Sequence, residues 1–132
     1  MQLIHFLTAA LVATAHAATF KGFSNKACQR YDGTYVTVTA AQLKDLAVQG
    51  YPVADVVPQA SSFFTPNIKA ICPSNSDDTY KWIDVPQWQE GNVWGPGNGG
   101  AIAVVYYKQT DTYNLCIYAA NAQTDGYGGS CK

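Results

Sequence analysis

Apolar and polar positions divide the chain into one helical segment and several short extended ones. Over residues 39–50, Leu43, Leu46 and Ala47 recur on one helical face beside Ala40. Thr39 stands where an N-cap is needed, and Gln42 three residues on completes a capping box. Gly50 and Pro52 then supply a stop. The spacing predicts one helix of roughly ten residues. Elsewhere the period is two. Residues 33–38 alternate Tyr and Val with Thr, as a half-buried strand does, and 67–71 and 79–85 are shorter strand candidates. Residues 101–107, AIAVVYY, are apolar throughout and suit a central strand. Residues 113–120 follow the turn KQTDT, which predicts a hairpin with that strand. The segment 91–100, GNVWGPGNGG, is half glycine and reads as a loop. One helix followed by about five strands predicts an α+β domain, with the helix packed on a twisted antiparallel β-sheet.

Composition narrows the partners. The chain has 132 residues and 17 Phe, Trp and Tyr, enough apolar mass for one folded domain. Eight Lys and Arg against nine Asp and Glu leave a net charge of −1, which argues against a strong sequence-independent grip on nucleic acid. After residue 20 there is no apolar run long enough for a membrane span. Residues 1–17 read as a secretory signal peptide ending in Ala15-His16-Ala17, so the expected domain is 18–132 and its expected location extracellular. That cleavage has a chemical consequence. His5 and His16 are the only histidines, and both leave with the leader. The mature chain then has no imidazole for a Ser–His–Asp site, a metal site or a proton shuttle.

Four cysteines remain: Cys28, Cys72, Cys116 and Cys131. In a secreted chain they imply two disulfides, for which three connectivities exist. We take Cys28–Cys131 with Cys72–Cys116, the first tying the two chain ends together. No CxxC pair and no histidine favour zinc, and no cofactor is expected. Asp77-Asp78 reads as a solvated turn rather than a calcium site.

The order of these features resembles the fungal guanyl-specific ribonucleases and their hirsutellin-like ribotoxin relatives, over residues 28–132. In that family the helix is followed by Tyr-Pro-His; here it is followed by Tyr51-Pro52-Val53. An aromatic-x-Glu-aromatic-Pro strand corresponds to Trp82-Ile83-Asp84-Val85-Pro86. A glycine loop leading into Arg-Val-Val corresponds to Gly91-Asn92-Val93-Trp94, then Gly97 and Gly100, then Ala103-Val104-Val105. The closing strand and last cysteine correspond to Leu115, Asn121 and Cys131, and the ribotoxins carry cysteines at positions like Cys72 and Cys116. Gln49-Gly50-Tyr51-Pro52 also looks similar to segments of ribonuclease-like effectors secreted by plant-pathogenic fungi.

The resemblance implies a ribonuclease-like fold with an emptied catalytic centre. Family members need a carboxylate base, a histidine acid and cationic groups around the phosphate. Matched by position, Tyr51 and Asp84 remain, whereas Val53, Ala103 and Asn121 stand where histidine, arginine and the general-acid histidine belong. Residues 54–58, ADVVP, replace the base-recognition loop. The implied function is that of a monomeric, secreted, non-catalytic effector that binds a host protein or, weakly, RNA, with uptake into host cells as a corollary. Two alternatives stand beside it. One is a weakly active endoribonuclease using Asp84 with Lys81 and Tyr51. The other is a carbohydrate- or wall-binding module using Trp88 and Trp94, which flank the glycine-rich segment; Tyr127 is a further candidate binding residue.

Overall fold

A computed structural model describes residues 17–56, 65–73, 79–93 and 97–132. Strands β1 (Thr19–Lys21), β2 (Lys26–Gln29) and β3 (Tyr35–Val38) lead into helix α1 (Ala40–Gly50). A short 3-10 turn at Tyr51–Val53 and strand β4 (Asp55–Val56) follow. Then come α2 (Pro66–Ile71), β5 (Tyr80–Asp84), α3 (Pro86–Gln89), β6 (Ala101–Tyr107) and β7 (Thr112–Ala119). The main sheet has five strands in the order β1-β7-β6-β5-β4, and β2 and β3 form a separate antiparallel pair. The class is α+β, with one main helix and two disulfides. The sheet is mixed rather than wholly antiparallel, because β1 enters parallel to β7. Three residues gave too short a segment to register in the hydrophobic pattern.

Helix α1 starts and stops where its residues require. The Thr39 side chain accepts from Gln42 N at 3.2 Å, and Gln42 Oε1 accepts from Thr39 N at 2.9 Å. Leu43 and Ala47 are its buried face. The segment 67–71 corrects the sequence reading: it is helical, not extended. Thr65 caps it through Ile68 N, and Pro66, which lacks an N–H, sits at its first turn where none is needed.

Strand β6 lies at the centre of the sheet and is covered on both faces. Ile102 and Val104 join Leu43, Ala47, Ile83, Val85 and Trp88 in the core under α1. Ala103 and Val105 face the other way, toward Cys72 and Tyr80, with Ile68 of α2 packed against them. The predicted β6–β7 hairpin is present, turning through Lys108–Thr110 and Asp111, which adopts a left-handed φ of 48°.

Both expected disulfides are present, Cys28–Cys131 and Cys72–Cys116. Cys28 is buried in the larger core, while backbone bonds from Ala27 to Lys132 and back hold the two ends together. The second bridge depends on an irregularity. Ala103 pairs with Ile117 but Val104 pairs with Leu115, so Cys116 is the extra residue of a bulge. The bulge brings Cys116 to the same face as Ile117, where it meets Cys72 beneath α2.

The two bridges span 103 and 44 residues. In the chain-entropy picture the longer loop is stabilised by roughly 0.8 kcal/mol more. Cys28→Ala with Cys131→Ala is therefore expected to lower the unfolding free energy by about 4–5 kcal/mol. Denaturant titration should rank that pair above Cys72→Ala with Cys116→Ala.

Candidate functional site

A cleft of about 720 Å³ opens beside the end of β5. It runs from the C-terminal turn of α1, past Val53, Ala54 and Asp55, to Trp82 and Asp84, and is closed by the turns around Gly97 to Gly99 and Gly126 to Gly128. Small side chains make the space: Ala101 and Ala119 of the paired strands β6 and β7 both line it. The glycine turn packs by its backbone. Gly99 has φ +96°, and a Cβ there would stand 2.1 Å from Ala120 O.

Asp84 lines this cleft and is exposed, with Oδ1 accepting from Gln89 Nε2 at 3.0 Å. Asp55, also exposed, is a second carboxylate that the sequence reading did not single out. It lay within ADVVP as one residue of a loop. Its placement follows from the pairing of β4 with β5, which sets Asp55 opposite Trp82. Residues two apart on a strand share a face, so Asp55, Trp82 and Asp84 stand on the same side of the sheet.

The structure does not bring Tyr51 to Asp84. Tyr51 packs against the core under α1, and its hydroxyl donates to Thr79 O. Lys81 alternates with Trp82 and so also faces away from Asp84; its Nζ donates to Tyr51 O at 2.9 Å and lies over the Tyr51 ring. The Asp84–Lys81–Tyr51 grouping is therefore split by the sheet. Val53 is at the cleft and 84% exposed. Ala103 is buried under α2, and its side of β6 is occupied by Cys72, Tyr80 and Val105.

Asn121 is a structural residue. It is fully buried, its Nδ2 donates to Trp88 O at 3.0 Å, and its backbone O accepts from Gly129 N and Gln123 Nε2. Trp88 corrects another expectation. It is buried in the main core, with Nε1 donating to Val36 O at 2.8 Å, and has no face for a sugar or base. Pro86 begins the short α3, whose turn carries Trp88 inward. Tyr127 is 77% exposed at the turn that borders the cleft. Trp94 and Asp77-Asp78 lie outside the described residues.

Among the described residues no group of His, Cys, Asp or Glu is placed to hold a metal, and no helix is long and apolar enough to cross a membrane. No family model matches the chain, and no curated protein or solved structure matches it either.

On the side of the sheet away from Asp84, Tyr51, Tyr106 and Tyr113 form a ring cluster; Tyr106 and Tyr113 are 4.5 Å apart. Tyr106 donates its hydroxyl to Asp111 Oδ1 at 2.7 Å, and that bond holds its pKa up at about 12. The folded protein thus keeps a proton that the unfolded chain gives up near pH 10. Stability from this bond is full below pH 10 and is lost as pH rises toward about 12. Beside Tyr80 and Tyr113, whose pKa values burial also raises, phenolate absorbance should show a late titration of Tyr106. Asp111→Asn, which tolerates the left-handed backbone, should return it toward the ordinary range.

Proposed function

We propose that this chain is a secreted, ribonuclease-like protein without catalytic function, which acts by holding a protein partner. The observation that carries the reading is the content of the cleft. Among the described residues two carboxylates line it, and none of the chain's eight Lys and Arg residues does. Hydrolysis of RNA at this place would need a proton donor and cationic groups around the phosphate. The side chains at the matched positions are Val53, at the rim, and Ala103 and Asn121, both buried. Losing a general acid costs ~10²–10⁴ in rate and losing an electrostatic donor ~10²–10³, although such losses do not add.

The fold class supports the ribonuclease-like part of the reading, as do the two bridges at the positions shared with the ribotoxin pattern. The leader over 1–17 and the absence of a free cysteine support secretion. A protein partner is favoured over RNA by sign of charge. A phosphate brought within about 4 Å of either aspartate meets roughly 1 kcal/mol of repulsion even in water, and more as the site closes. Burial of Trp88 removes one of the two tryptophans of the carbohydrate-binding alternative.

Incubation of the purified secreted protein with total RNA tests the reading directly. No time-dependent cleavage is expected, and no retention of single-stranded RNA at moderate salt. Cleavage that disappears in Asp84→Ala would overturn it.

A further inference from the structure

None of the chain's eight Lys and Arg side chains lines the cleft, and five of them are engaged elsewhere. Arg30 pairs with Glu90 at 3.2 Å. Lys26, Lys44, Lys81 and Lys132 lie over the rings of Tyr118, Phe20, Tyr51 and Tyr35. Asp55 and Asp84 are thus left on an open concave surface with no basic side chain of their own chain lining it. Two like charges on one face disfavour each other unless a cation joins them.

Their spacing selects the kind of cation. Asp55 stands opposite Trp82, and Trp82 and Asp84 are two residues apart on β5. Diagonal neighbours of this sort are roughly 7–8 Å apart, and Trp82, directly opposite Asp55, shares their side of the sheet. A guanidinium carries donors along two edges of a plane, so it can bond carboxylates on both sides while its face lies on an aromatic ring. An ammonium is a compact point charge and engages one carboxylate at a time. Ala101 leaves the space beneath free, and the exposed Val53 offers apolar contact to a methylene stem.

We infer that the cleft receives an arginine side chain, presented by an exposed basic segment of a protein partner. The inference rests on the non-catalytic reading above, because it fills with a peptide side chain the place where a ribonuclease would seat its substrate. Charge complementarity supplies orientation and speed of encounter, and the partner's neighbouring residues supply the remaining contact.

The test is an NMR titration of the purified secreted protein with the blocked tripeptide Gly-Arg-Gly, and with its lysine and citrulline counterparts. Saturable shifts are expected at the Trp82 indole N–H and the Asp55 and Asp84 amides with the arginine peptide. The lysine peptide should bind several-fold more weakly, and the uncharged citrulline peptide should not bind. Asp55→Asn and Asp84→Asn, whose spectra should otherwise superimpose on the parent, should each weaken binding about tenfold. Asp32→Asn, which keeps the side-chain acceptor for Thr34 N far along the chain, should leave it unchanged. Absence of saturation up to about 20 mM peptide would overturn the inference. So would equal responses to all three peptides, indifference to both Asn substitutions, or displacement of the same signals by an RNA oligonucleotide instead. RNA cleavage measured on the same sample separates the two conclusions. Turnover sinks the non-catalytic reading, whereas no turnover with no arginine binding sinks this inference alone.

Discussion

The two-residue period of β5, held between β4 and β6, is the constraint on which the site depends. Its alternate side chains go to opposite sides of one sheet. Ile83 enters the core beneath α1 and Lys81 joins Tyr51 on that side. Tyr80, Trp82 and Asp84 go to the other, where Tyr80 is buried beside Cys72 and Asp84 meets solvent at the cleft. Shifting the pairing by one residue would exchange these sets and place a lysine among the apolar groups. Because β6 is buried on both faces, its own alternation of Ile102 and Val104 with Ala103 and Val105 holds that register.

That side of the sheet is covered along one part and reaches the cleft, which α1 also lines, at the other. At one end α2 and the Cys72–Cys116 bridge cover Ala103, Val105 and Tyr80. At the other, small residues and glycine turns leave an opening with an acidic lining. Positions matched by sequence to one catalytic centre are divided among four environments: Asp84 and Val53 at the cleft, Tyr51 against the core under α1, Ala103 beneath α2, and Asn121 in the interior. A residue that lines a cleft and one that fills a core are indistinguishable as letters. They separate once the pleat is known.

Local signals were legible wherever they were self-contained. The capping box at Thr39 and Gln42 marked α1, and the unbroken apolar run of 101–107 marked the central strand. At 67–71 the apolar pattern alone suggested a strand, although Thr65-Pro66 already carried a helix-start signature. The closeness of Trp88 to glycines in sequence suggests an exposed ring, but the short helix that Pro86 begins turns it inward. Asp55 could not be recognised without knowing that it pairs opposite Trp82. The grouping of Lys81 and Tyr51 with Asp84 failed for the opposite reason, since Lys81 and Asp84, an odd number of residues apart on β5, face opposite sides.

The nesting of the two bridges, one spanning 103 residues and enclosing another of 44, affects how the chain is made. Emerging from the ribosome in order, Cys28 and Cys72 become available before either native partner. At 5–20 residues per second Cys28 waits roughly 5–20 s for Cys131 to be synthesised. In an oxidising compartment the first match on offer in that interval would be the wrong one, and correct maturation would then depend on slow oxidation or on an isomerase that reshuffles an early Cys28–Cys72 link.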